Sequence, residues 1–318
     1  MDTMVDVNDE FMHEAGPHPD WQESFFFSWF DAESDAVGLA RIGYRPSNHT
    51  ADAILYTMRD GRVEGGYAKL HARYSGTPEP DHLKVGALEF QMIEPMSKWR
   101  LLLRGRHEVD LTWTALHAPF DYHAEAPPGA YLPSGIADTH MEQSGWVTGR
   151  VRMNGATYPI DGLGQRDKSW GVRLWSSIER WDWNTVLLSP DFTMNCTHLY
   201  ENGRAYPTGY IFHDGACHAV AQLTVDHEWS GHQVPCASRM VVTDVSGLRL
   251  EIRGRVIAQS CLWKRGLVIQ ESATRFETVV DGRPFTGLGI TEHAWHAGLV
   301  GSLRVLPRMG PAARMIMP

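Results

Sequence analysis

The sequence predicts an all-β protein: two successive antiparallel β barrels or sandwiches with few helices. Three observations predict it. Apolar residues recur with period two rather than 3.6. Turn dipeptides arrive about every 10–15 residues, the spacing of a sandwich or barrel. No amphipathic helix longer than two turns stands out. The chain has 318 residues. At about 150 residues per domain that suggests two units, although one large β domain also fits.

The elements follow in order. Residues 24–30, Ser-Phe-Phe-Phe-Ser-Trp-Phe, read as a strand buried on both faces rather than a membrane contact. Residues 51–56 and 63–74 alternate around Asp60-Gly61, a hairpin turn pair. Residues 124–143, with Pro127-Pro128-Gly129, read as one long loop of the kind used for lids or linkers. Residues 147–153 and 158–161 flank Asn154-Gly155, and residues 194–201 and 206–212 flank Asn202-Gly203. Pro207 cannot donate to a ladder and belongs at a strand start or edge. Asp214-Gly215, Ser246-Gly247 and Asp281-Gly282 mark three further turns. The irregular stretch 163–175 is the expected junction, giving units at 20–165 and 166–302 and a tail at 303–318.

Composition narrows the function. A net charge of −9 argues against a nucleic-acid partner. Residues 1–21 carry no secretory signal pattern, and no run of about 18 apolar residues predicts a membrane span. A cytoplasmic protein is expected, with homo-oligomerisation left open. The four cysteines, Cys196, Cys217, Cys236 and Cys261, have no CxxC spacing and read as reduced, buried thiols. There is no P-loop, nucleotide fingerprint, GxSxG elbow or zinc motif. The 12 Trp are more than a core of this size needs, so some are expected to line a cavity.

Three clusters carry candidate chemistry. The first surrounds Arg166 and Asp167, with Trp170 and Trp175 nearby. Desolvation by tryptophan would raise the Asp167 pKa and make it an acid; an arginine partner would lower it. Asp167 therefore stands between a catalytic role and a structural salt bridge. The second cluster is residues 179–184. On a strand, Trp181 and Trp183 share one face, and Asp182 and Asn184 share the other. That polar face must meet solvent or line the inside of a barrel. The third is Thr291-Glu-His-Ala-Trp-His296. Glu292 and His293 offer acid–base groups and Trp295 an aromatic wall, while the spacing is not HExxH and no metal is expected.

The segment Gly162-Leu-Gly-Gln-Arg-Asp-Lys-Ser-Trp-Gly-Val-Arg-Leu-Trp175 resembles the G-x-G-x-R-D-x-S-W-G-x-R signature of the AttH and hydroxyneurosporene synthase (carotenoid 1,2-hydratase) group. Gly145-Trp-Val-Thr-Gly-Arg-Val151 and Gly289-Ile-Thr-Glu-His-Ala-Trp295 support it. Lys168 stands where sequences of this type often have His. The resemblance implies two lipocalin-like domains with an apolar pocket in or between them, and hydratase or cyclase chemistry without a redox cofactor.

Two functions compete. One is a cofactor-independent lyase (hydratase) or isomerase/cyclase acting on a terpenoid, polyketide or steroid-like molecule. Asp167 would be the general acid, with Glu292 or His293 as a second proton-transfer group. Arg166, Trp170, Trp175, Trp181, Trp183 and Trp295 would bind substrate. The other is a lipocalin-like carrier of an apolar ligand with no chemistry.

Overall fold

The computed structural model describes residues 5–128, 132–133, 135–264, 266–298 and 301. The expected tail at 303–318 lies outside the described residues, as do residues 129–131 and 134 of the expected long loop. The chain is almost entirely strand. The first sheet holds β1 (Trp21–Asp31), β2 (Ala36–Arg45), β3 (Thr50–Arg59), β4 (Arg62–Arg73), β5 (His82–Val85), β6 (Leu88–Glu94), β7 (Lys98–Leu103), β8 (Glu108–Ala115), β9 (Phe120–Asp121), β10 (Thr139–Met153) and β11 (Ala156–Val172). The second holds β12 (Arg180–Ser189), β13 (Phe192–Glu201), β14 (Arg204–His213), β15 (Ala216–Gly231), β16 (Val234–Asp244), β17 (Arg249–Lys264), β18 (Leu267–Val280) and β19 (Arg283–His296).

The second sheet is a closed barrel in chain order, so none of its strands is left as an edge. The first runs β4-β3-β2-β1-β11-β10-β8-β7-β6-β5, with β9 added to β10. Its ends approach each other: the Ala87 N–H after β5 donates to the Tyr67 hydroxyl on β4 at 2.9 Å. The predicted turns are present. At Asp60-Gly61 both central residues have positive φ (52° and 76°), the backbone that matches the twist of the flanking strands. Pro207 lies inside β14, pairing with His198, but β15 joins β14 only from Tyr210 onward. The proline therefore faces the unpaired side of β14, where no donor is needed.

Two boundaries differ from the sequence expectation. The stretch 163–175 is no junction up to Val172: it completes β11, which pairs with β1 from Trp21↔Val172 to Phe30↔Leu163. The connection between the units is residues 173–179. The long loop ends at 138, because residues 139–143 begin β10 and pair with β11. The motif glycines do permit close approach, but within one sheet. A Cβ at Gly162 would strike the carbonyl oxygen of Phe30 on β1.

Strand alternation then sorts the side chains. On β1 and β11, Phe25, Phe27 and Trp29 point into the first barrel, whose core includes Trp99 and Trp113. The opposite face of that sheet, with Leu39, Tyr56 and Phe120, packs against Trp181, Trp183, Leu199 and Ile290 on the outside of the second barrel. A third core, mostly aliphatic with Phe192 and Phe276, fills the second barrel. Cys196 and Cys261 are buried, while Cys217 and Cys236 are only half-buried. No helix among the described residues is long and apolar enough to cross a membrane.

Candidate active site

A cavity of about 170 Å³ lies between the two units. Pockets that bury drug-sized ligands run to roughly 300–1,000 Å³, so this one suits a compact molecule or one arm of a larger one. Phe26, Leu39 and Ile54 from the first sheet and Trp175, Trp181, Trp183, Leu199 and Ile269 from the linker and second barrel supply apolar walls. Arg41, His140, Asp167, Arg173, Glu271 and Glu292 interrupt them.

The first polar group is built on β10 and β11. Glu142 and Asp167 are direct cross-strand partners. Nε2 of His140 lies 3.2 Å from both Oε1 of Glu142 and Oδ2 of Asp167. Glu142 Oε1 also accepts from Trp183 Nε1 at 2.8 Å, and its Oε2 accepts from Gln165 Nε2 at 2.7 Å. Gln165 is fixed in turn by the Ser144 hydroxyl at 2.9 Å, which contacts the Tyr210 hydroxyl at 2.8 Å. The Tyr122 ring stacks on His140 with centroids 5.0 Å apart.

Charge follows from these contacts. Burial would strip His140 of its proton, but the Asp167 charge and the carboxylate hydrogen bonds hold its pKa up at about 9. Burial would raise Asp167, yet His140 and the guanidinium groups of Arg173 and Arg41 keep it below the ordinary aspartate value. Burial raises Glu142 to about 7 against the hydrogen bond from His140. The cluster is a cationic imidazole between an aspartate and a glutamate that titrates near neutrality. Spacing alone would let His140, Glu142 and Asp167 hold a metal ion. The oxygens of Glu142, however, already accept from His140, Trp183 and Gln165.

The second polar group comes from β18 and β19. Glu271 and Glu292 are direct cross-strand partners and share a hydrogen bond. Burial and the neighbouring Glu292 charge push the Glu271 pKa far up, so this carboxyl keeps its proton. Burial also raises Glu292, moderated by hydrogen bonds from Glu271 and from the Trp181 indole N–H. Arg41 and Arg173 complete the wall. Burial and the Arg173 charge lower Arg41 to about 10, and its Nε donates to the Ser24 hydroxyl at 2.9 Å.

Five atoms of lining residues are buried and without a hydrogen-bond partner among the described residues: Nδ1 of His140, Oδ1 of Asp167, Nε of Arg173, Oγ1 of Thr197 and Oε2 of Glu271. Buried polar atoms are rarely left so.

The structure brings together Asp167, Glu292, Trp175, Trp181 and Trp183 on this cavity. It places the other expected residues elsewhere. Arg166 alternates with Asp167 and points into the first barrel, where its guanidinium pairs with Glu10 at 2.8 Å and meets Gln143 at 2.6 Å. Trp170 lies on that same face, stacked on His13 with centroids 3.8 Å apart and covered by the Lys168 ammonium. Neither residue reaches Asp167, so neither tunes it. His293 alternates with Glu292 and points into the second barrel, contacting Asp182, and Trp295 stacks on it. The polar face of β12 does line the barrel interior, since Asp182 and Asn184 are buried.

Sequence reading missed His140, Glu142, Arg41 and Glu271. Glu142 and Glu271 did leave a signal, being carboxylates inside otherwise strand-like segments. Their partners are visible only once the register is known.

The family model described as a domain of unknown function, DUF7064, matches residues 6–297. The chain belongs to this family. No functionally curated protein matches this DUF7064 chain. Its fold is that of solved double-barrel structures. One is an AttH-type protein from Nitrosomonas europaea, with TM-score 0.66 and 16% identity over 88% of this chain and 95% of that one. Kievitone hydratase from Nectria haematococca gives 0.64 and 12% identity over 90% and 93%. CghA gives 0.61 and 13% over 86% and 88%. The architecture implied by the Arg166-Asp167 motif is thus shared with the AttH group.

Proposed function

We propose that the chain is a cofactor-independent enzyme of the hydratase type, adding water to, or removing it from, a compact apolar molecule. The observation that carries this reading is that His140, Asp167 and Glu271, among the lining residues with unpartnered polar atoms, face one apolar cavity. These three side chains are a protonated carboxyl hydrogen-bonded to Glu292, an anionic carboxylate and a cationic imidazole. Glu271 is the general acid: its retained proton adds to a substrate double bond. The faces of Trp181 and Trp183 lie where the resulting positive charge develops. Asp167 Oδ1 takes the proton of the attacking water, and His140 keeps that carboxylate anionic beforehand. The added water thus supplies a hydroxyl to carbon and keeps one proton there; the proton it gives to Asp167 is the one that returns to Glu271, by way of Glu292, to close the cycle. Arg41 and Arg173 orient a polar end of the substrate. The name of the kievitone hydratase neighbour supports this class. Cyclisation of a polyene or enone by the same acid is the neighbouring chemistry.

The test is incubation with unsaturated terpenoid and polyketide-type compounds in ¹⁸O-water, followed by mass spectrometry. The expected product gains one labelled water, and Glu271→Gln lowers its rate of formation by about 10²–10⁴. Saturable binding with the compound recovered unaltered would instead make the protein a carrier.

A further inference from the structure

Inside the mouth of the second barrel, three side chains from three strands meet away from the cavity. Asp182 on β12 presents Oδ1 to Nε2 of His227 on β15 at 2.7 Å and to Nδ1 of His293 on β19 at 2.6 Å. All three side chains are nearly enclosed, 6%, 3% and 3% exposed. The other ring nitrogen of His293, Nε2, donates to Oε1 of Gln233 at 2.9 Å. One ligating atom of each residue thus converges on a common point, all within 4.8 Å of one another.

We infer that Asp182, His227 and His293 form a binding site for a divalent transition-metal ion of the zinc class. Two imidazoles and one carboxylate are the donor set such ions take. A ligating histidine ordinarily gives its second N–H to a carbonyl or carboxylate oxygen, the arrangement that Gln233 supplies. Bonds of about 2.0–2.2 Å in tetrahedral geometry hold ligands roughly 3.3 Å apart, so the three atoms open by about 0.6 Å to admit the ion. Three protein donors leave a fourth position for water. The shell is aromatic: Trp295 stacks on His293 at 5.4 Å, and Trp229 lies 5.0 Å from His227 and 5.1 Å from His293. Trp229 is 46% exposed and marks an entry side. β12 and β19 are neighbours, whereas β15 stands three strands from β12, so the ion ties opposite walls of the barrel. The inference departs from the sequence expectation of no metal, because the spacing 182, 227 and 293 matches no linear motif.

The experiment uses the full chain after EDTA dialysis. Zinc chloride is titrated calorimetrically, with bound metal counted by mass spectrometry and unfolding followed thermally. One ion per chain is expected, with a rise in Tm. His227→Ala should weaken binding at least 100-fold and Gln233→Leu roughly 10–100-fold. His213→Ala, which alters the separate His213–His218–Asp244 cluster, should change nothing. If His227→Ala fails to fold, His293→Gln with cobalt(II) absorption replaces it. A Tm indifferent to zinc, or stoichiometric zinc lost in His213→Ala and kept in His227→Ala, would overturn the site.

Discussion

Glu271 and Glu292 stand directly opposite each other on β18 and β19, and the first donates its proton to the second. Two buried carboxyls in contact cannot both ionise cheaply, so the pair stores a proton at neutral pH. Glu271→Gln keeps the donor and the shape. The fold should survive, with Tm within a few degrees, while turnover falls by about 10²–10⁴, the usual worth of a general acid. Unchanged turnover in a folded variant would remove Glu271 from the mechanism.

His140 links pH to stability. Its folded pKa, about 9, exceeds the ordinary histidine value of 6.5, so its contribution is full below pH 6.5 and is lost as pH rises through about 9. Glu142, raised to about 7, has the same sign in a lower window, from its ordinary 4.5 upward. Melting temperature should therefore fall between pH 6.5 and 9.5. In His140→Gln the upper part of that slope should flatten. Equal slopes in both proteins would mean that His140 carries no such proton.

Glu10 is the partner that Arg166 needs. It is fully buried and meets the guanidinium at 2.8 Å. Removing one partner of a buried pair typically costs about 3–5 kcal/mol, because the remaining charge is stranded. Glu10→Ala should lose about that much in urea unfolding. Val7→Ala, at a side chain 52% exposed, should stay within about 0.5 kcal/mol.

Gly164 tests the motif as architecture. A Cβ there would collide with the carbonyl oxygen of Ser28 and with Val147 Cγ2. The first is backbone and cannot turn aside. Gly164→Ala should destabilise by about 1–3 kcal/mol or more, measured by chemical denaturation. A neutral effect would mean that β1 and β11 can separate locally.

The residues around Arg166 explain how far the sequence could be read. Alternation on a strand already separates Arg166, Lys168 and Trp170 from Asp167. Treating 163–175 as irregular hid that division and made Arg166 and Trp170 look like neighbours of Asp167. The same rule, applied to residues 179–184, correctly put Trp181 and Trp183 on one face and Asp182 on the other. Likewise Glu292 and His293 look like a pair in sequence, yet they face a cavity and a barrel interior respectively.

The sequence by itself determined the strands, the turns that join them and which residues share a face, since these depend on local backbone geometry and period-two alternation. Only the tertiary structure decided which faces meet. Glu271 finds Glu292, His140 sits between Glu142 and Asp167, and Asp182 collects His227 and His293 through pairings and packing across as many as 111 positions. No local pattern encodes such distances. The register of long antiparallel ladders and the closing of a barrel set them, and with them the charge of every buried group.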